Sequence, residues 1–418
     1  MKSGFGKIRI EVIKKIKLTG IENNRISEGV LDPLYARSIV IEDKKKNIII
    51  ILSLDLLFVG KKLSKIIKEE IYKKYKIPRI NILIKATHTH SAPKTCEQFI
   101  DGINIENKFF ENVQRSSISA VSKAIKSKKK CEIELYDIPN FPAVNRRLIV
   151  PKILRFYPGY YKKKCINRPN RKKISDTSCR AIKFCLSDNS IFWLLNASAH
   201  CTVYNGNKIS SDYPGYIEKH LLKLSQKNNC KGLLFLQGWA GDQNCDVTKK
   251  IKLRKNPISF LETLFIKELF NRSSSQSNLN EIGKIIAKKV LRSYKVKTFT
   301  INNIITKFAK INLPLENKMS VSLNIRYFNL GEIKFYILNG EPLSNYRELL
   351  LNNLQETSKY NIFTVGYSDH PIGYIPDEQA LKEGGYETDR SLKFFGLRSR
   401  FSKEIEQKIL KCFKDIEN

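Results

Sequence analysis

Three short apolar runs in this 418-residue chain each end, within a few residues, on a side chain able to hold a metal ion: Ile80–Ala86 leads to His88 and His90, Ile191–Ala197 to His200, and Glu332–Leu338 to Glu341. Runs of this length, rich in Ile, Val and Leu and bounded by turn residues, read as buried strands. Open α/β sheets bind ligands beyond the carboxyl ends of their strands. The chain is therefore constrained to a sheet whose strand ends gather these groups at one edge. Histidine occurs only five times, at 88, 90, 200, 220 and 370, so the His-x-His pair stands out. Side chains two apart on a strand share a face, and His88 and His90 can converge on one centre, a common zinc arrangement. A hydrogen-bonded histidine pair in a polar loop is the plainer alternative.

The remaining segments read as mixed α/β (α+β). Ala36–Ile41 and Asn47–Leu54 form a hairpin pattern around the charged turn Glu42–Lys46. Lys62–Tyr75, Asn107–Ser127, Tyr213–Leu224 and Glu281–Tyr294 have helical periodicity. Cys131–Tyr136, Ala181–Leu186, Gly232–Gln237, Phe299–Leu313 and Ser322–Leu330 read as further strands. The basic stretch 151–177 is expected to be a surface loop or lid, and the Ser/Asn/Gln-rich stretch 271–280 a linker-like exposed loop. No repeat and no boundary divides residues 1–418, so one large catalytic domain is expected.

Lys and Arg number 75 against 40 Asp and Glu, a net charge of +35. Such an excess points to an anionic partner. Here the lysines are scattered and accompanied by equally abundant Ile and Asn, the pattern of a solvated surface. No specific nucleic acid is expected, and contact with an anionic membrane is at most peripheral. Nine cysteines without a CxxC pair read as reduced thiols. The N-terminus lacks a secretory pattern and no stretch is apolar enough to span a bilayer, which together suggest a cytoplasmic location.

The turn Gln237–Asn244 (QGWAGDQN) follows a strand. Its glycines would let backbone approach a ligand, but it lacks the Gly-Lys-Ser/Thr ending of a phosphate loop. His220 lies in a Lys-rich helical stretch and reads as exposed; His370 sits beside later tyrosines.

Ordered blocks resemble the neutral (non-lysosomal) ceramidases and their bacterial relatives. They are DPLYAR at 32–37, SLD at 53–55, THTHS at 87–91, NRR at 145–147, SDYPG at 211–215, the 237–244 turn, GEP at 340–342, GYIP at 373–376 and GYE at 385–387. The resemblance implies that catalytic domain's fold and a hydrolase of N-acyl amides, with one zinc ion per chain held by His88, His200, Glu341 and Tyr374. It also implies His90 as the proton carrier, Arg146 and Tyr386 on the substrate's polar head and oxyanion, and attack by zinc-bound water. A small-molecule or lipid N-acyl amide is the implied partner. Asn244 stands where these enzymes carry a serine, the chain ends about thirty residues after Tyr386, and no secretion signal is seen, so the substrate need not be ceramide.

Two alternatives follow from the same residues. A metal-dependent amidohydrolase barrel would use His88, His90, His200, His220 and Asp242. A non-catalytic protein would grip nucleic acid or another polyanion through its basic surface, with Tyr157, Tyr160 and Tyr161 interleaved among lysines.

Overall fold

The computed structural model describes residues 1–21, 25–156, 161, 164–225, 229–250, 270–272, 274–354 and 359–417. Strands β1 (Lys2–Arg9), β2 (Tyr35–Glu42), β3 (Ile48–Leu54) and β4 (Ile82–Ala86) build one half of a nine-stranded sheet. β5 (Lys129–Asp137), β8 (Cys179–Leu186), β9 (Ile191–Ala197) and β10 (Cys230–Gln237) build the other, and β14 (Tyr294–Phe299) adds to β5. The order is β10-β9-β8-β5-β1-β2-β3-β4. β3 pairs parallel with β4, and β9 parallel with β10. The sheet is open and mixed, which rules out the closed eight-stranded barrel that an amidohydrolase would need.

Alternation along β3 shows how the layers arise. Ile50, Leu52 and Leu54 face helices α1 (Lys61–Tyr75) and α2 (Asn107–Lys126), while Ile49 and Ile51 face the opposite way. There they meet Phe328, Phe335, Ile337 and Phe363 of a second sheet, ordered β15 (Ile305–Pro314), β16 (Ser320–Asn329), β17 (Lys334–Leu338), β19 (Ile362–Val365). Over the other half of the first sheet, Trp193, Leu195 and Phe235 pack on α3 (Asp212–Leu224) and α4 (Gln276–Arg292). The outer face of the second sheet, through Leu323, Ile325 and Tyr336, packs on α5 (Tyr346–Leu354) and α6 (Ile405–Glu417). A strand with both faces covered must be apolar throughout, which is why IIIILSL contains almost no polar residue. The result is a helix–sheet–sheet–helix sandwich of mixed α/β class.

Most sequence-derived elements fall within two residues of their expected bounds. Three differ. In the stretch expected as a linker, 276–280 are instead the first turn of α4 and 271–272 belong to the short strand Phe270–Arg272. Ser275 accepts a hydrogen bond from Asn278 N at 3.1 Å, so the serine-rich signal marks a helix cap. The expected strand Phe299–Leu313 is two strands in different sheets. Within 151–177, Lys152–Phe156 forms a 3₁₀ turn, and β7 (Cys165–Asn170) pairs with β6 (Ala143–Ile149); residues 157–160 and 162–163 lie outside the described residues. β6 also pairs with β11 (Gln243–Cys245). All nine cysteines are free thiols. No helix among the described residues is long and apolar enough to cross a membrane.

β1 was not anticipated as a strand, and its glycines explain how it fits beneath α2. A Cβ on Gly6 would lie 2.0 Å from the Ala120 carbonyl oxygen, and one on Gly4 2.1 Å from that of Ala124.

Candidate metal centre

The parallel pairs leave the carboxyl ends of β3, β4, β9, β10, β17 and β19 at one edge, and the backbone knits these ends together. Ala86 N donates to Tyr367 O, Gly366 N to Gln237 O and Tyr367 N to Gly340 O. Four non-glycine residues around this edge adopt left-handed backbone: His88 (φ 69°), Asp212 (φ 59°), Tyr367 (φ 59°) and Asp369 (φ 51°). Such conformations cost about 1–3 kcal/mol each and persist where surroundings over-determine them. For His88 the bend stops β4 and turns the imidazole inward.

His88 and His200 are fully buried and His90 is half-buried, and the ligating nitrogens of all three lie within 4.8 Å of one another. Each Nδ1 faces a backbone carbonyl: Leu57 O at 3.0 Å from His88, Gly20 O at 2.8 Å from His90, and Ala240 O at 2.7 Å from His200. A carbonyl only accepts, so each Nδ1 carries a proton, and in the neutral ring each Nε2 then presents a lone pair. This is the tautomer in which histidine binds a metal, with its other nitrogen oriented by a backbone oxygen.

The Nε2 atoms point at one another and at a carboxylate. His90 Nε2 is 3.2 Å from His88 Nε2, and Glu341 Oε2 is 3.2 Å from His88 Nε2 and 3.3 Å from His200 Nε2. Glu341 Oε2 is buried and finds no hydrogen-bond partner among the described residues. Electron-pair donors do not approach this closely in a buried site unless a cation holds them, so the donor set fits a metal ion. Burial lowers the His200 pKa to about 3, helped by the charge of Arg146, and burial with the neighbouring histidines carries His90 well below its ordinary value. Neutral imidazoles and an ionised carboxylate are the protonation states that ligation requires.

The other anticipated residues gather here too. Tyr374 Oη lies 3.5 Å from His200 Nε2 and accepts a hydrogen bond from Arg146 Nη2 at 3.1 Å. Arg146 also donates to Gly241 O at 2.7 Å and to Glu387 Oε1 at 2.9 Å, while Arg147 donates to Glu387 Oε2 at 2.7 Å. Two buried guanidiniums thus share one carboxylate. The Tyr386 ring sits edge-on to Tyr374, with centroids 5.7 Å apart. The 237–244 turn contributes through its backbone: Ala240 orients His200, and Gly241 lies against Glu341, where a Cβ would be 2.6 Å from the Glu341 carbonyl oxygen. His220 is half-buried, bonded to Asn280 Oδ1 at 2.9 Å on the α3–α4 surface, and does not join the cluster.

Sequence reasoning did not find Tyr367, whose ring lies 4.1 Å from that of His88 and whose buried Oη has no partner among the described residues. Nor did it find Phe58, 5.0 Å from His88, or the carbonyls of Gly20 and Leu57. Backbone acceptors leave no trace in residue identity, and an isolated tyrosine has no signature.

The sequence matches the family described as neutral/alkaline non-lysosomal ceramidase, N-terminal, over residues 12–256, more than half of the chain. No curated protein sequence matches it. In structure it resembles the neutral ceramidase from Pseudomonas aeruginosa, with a TM-score of 0.73, 14% identity, and coverage of 99% of this chain and 73% of that one. It is equally similar to a ceramidase complexed with C2, with a TM-score of 0.73, 13% identity, and coverage of 99% and 74%.

Proposed function

The chain belongs to the neutral/alkaline non-lysosomal ceramidase family, a family of amide-bond hydrolases, and from this we propose that it is a zinc-dependent hydrolase of linear N-acyl amides built as one catalytic domain. One observation carries the reading: three imidazoles with Nδ1 committed to carbonyls turn their Nε2 atoms toward one point, where a buried Glu341 oxygen has no hydrogen-bond partner among the described residues.

In this reading His88, His200, Glu341 and Tyr374 hold a single zinc ion. Bound there, the ion would polarise the scissile carbonyl and acidify a water molecule. His90, the least buried of the three imidazoles, faces the same point and carries the proton to the leaving amine. Arg146 holds Tyr374 by hydrogen bond and, with Tyr386, supplies donors for negative charge developing on the carbonyl oxygen. Glu387 fixes Arg146 by accepting from its Nε. Asn244 is buried and pairs by a β-bridge with His200, so it serves as scaffold and no side-chain nucleophile is invoked.

The acyl and amine halves of the substrate are N-acyl amine in class. The test is elemental analysis of protein purified without added metal, beside His88→Ala and Glu341→Ala, followed by hydrolysis of N-acyl amines of graded chain length. Near-stoichiometric zinc lost in both variants, with folding kept, and zinc-dependent release of free amine are expected. Absence of zinc even after it is supplied would overturn the proposal.

A further inference from the structure

We propose that the turn Lys152–Phe156, which follows β6, docks the chain on anionic membrane surfaces, with Ile153 and Phe156 entering the bilayer; the inference rests on the N-acyl amide reading for its purpose, not for its geometry. From Pro151 to Ser175 the sequence contains nine Lys and Arg and no Asp or Glu; Arg171 and Lys173 are ion-paired with Asp246 and Glu383, while Lys152, Lys164 and Lys172 stand exposed. Across the whole chain the ratio is only 75 to 40, so this run exceeds the general basic bias. Ile149 just before it, and Ile153 and Phe156 within it, are 39%, 47% and 81% exposed.

The turn is shaped to present these side chains. Ile149 pairs with Cys165 and Val150 N donates to Lys164 O at 2.8 Å, which ties its base. Lys152–Phe156 is a 3₁₀ turn, in which residues three apart lie one above the other, so Ile153 and Phe156 share a face. Leu154, 1% exposed, anchors the turn to the body of the protein, and Arg155 Nε holds the Val150 carbonyl at 3.0 Å. Lys152 and Lys164 remain exposed beside the apolar face. Clustered apolar side chains flanked by cations fit the boundary between lipid headgroups and acyl chains. A single strand of nucleic acid would seek aromatic faces for its bases, which Ile149 and Ile153 cannot offer. The turn also begins near the candidate metal centre: Ile149, which ends β6 before it, is three residues beyond Arg146, about 10 Å at the usual strand rise.

The test is co-sedimentation of the full chain with phosphatidylcholine vesicles and with mixed phosphatidylcholine–phosphatidylglycerol vesicles, at low and high salt. Wild type should sediment with the anionic vesicles and be released by salt. Lys152→Glu/Lys164→Glu should weaken binding by about fivefold or more per altered charge. Ile153→Ser/Phe156→Ser should weaken it by about tenfold or more, and neither variant should lose metal or slow hydrolysis of a short-chain, water-soluble N-acyl amine. Vesicle binding that survives Ile153→Ser/Phe156→Ser, no binding to anionic vesicles, or a single-stranded DNA oligonucleotide held more tightly than vesicles through the same lysines would each overturn the proposal. Turn-dependent vesicle binding by a protein without zinc or hydrolytic activity would uphold the docking surface and reject only the enzymatic reading.

Discussion

Replacing Asp369 by Asn should unfold this protein more readily than any surface change, because Asp369 joins three layers at the site edge. It is buried, with Oδ1 accepting from Ser64 Oγ at 2.6 Å and from Lys68 Nζ, both on α1, and Oδ2 paired with Arg326 Nη2 of β16 at 2.9 Å. Its backbone also receives Gly60 N at 3.0 Å and donates to Ile84 O at 2.8 Å, holding the turn that carries Tyr367. At an effective dielectric of about 20, one unit pair at this 2.9 Å separation is worth about 6 kcal/mol before desolvation. Removing one partner of a buried ion pair costs about 3–5 kcal/mol net. Burial already lowers the Lys68 pKa to about 8 against the pull of Asp369, so in the variant Lys68 can shed its proton and soften the loss. The expected cost is therefore near 3 kcal/mol, measured by urea unfolding at pH 7. Burial favours protonating Asp369, but Arg326 and Lys68 outweigh it and hold its pKa well below the ordinary 3.8. The stabilisation it supplies is full above the unfolded value and fades as pH falls through the window below it. Wild type and variant should thus converge as unfolding is repeated at progressively more acid pH. A difference below about 1 kcal/mol at neutral pH, or one that does not shrink in acid, would refute the reasoning.

Three further outcomes are expected. Lys85 is fully buried on β4, its Nζ has no hydrogen-bond partner among the described residues, and burial carries its pKa well below the ordinary value; Lys85→Met should raise stability by about 1–3 kcal/mol in denaturant melts, and a loss of stability would mean that the amine is satisfied. Gly6→Ala should cost more than about 2 kcal/mol by the same melts, because its Cβ would meet the backbone of α2 at 2.0 Å; a neutral result would show that β1 and α2 can separate. His90→Gln should keep its zinc yet lower kcat by about 10²–10⁴-fold if His90 moves protons, whereas loss of the metal would make His90 a ligand.

The hydrophobic alternation of β3 and the helical spacing of Leu63, Ile67 and Ile71 are local periodicities, so the elements were legible and mostly correctly bounded. The linker expected at 271–280 was not, because serine caps a helix as readily as it marks a loop. In the second sheet β16 and β17 were legible as strands, whereas β15 was merged with β14 and β19 was not anticipated; their stacking on the first sheet depends on which faces meet, and residue order does not encode that.

His88, His90, His200 and Glu341 announced themselves because scarce ligating side chains follow apolar runs, a relation contained within about ten residues of chain. The order of the blocks extended this to Arg146, Tyr374 and Tyr386. Everything that turns these residues into a centre is long-range: the carbonyls of Leu57, Gly20 and Ala240 that choose the tautomers lie 31, 70 and 40 residues away from the imidazoles they orient. Tyr367 reaches His88 because parallel pairing aligns strand ends from two sheets. The sequence by itself determined which chemical groups are available and which strands deliver them, since both follow from side-chain identity and short-range periodicity. Tertiary structure alone decided which nitrogen carries each proton and where the lone pairs meet, since those depend on backbone dipoles brought together only when the sheets stack.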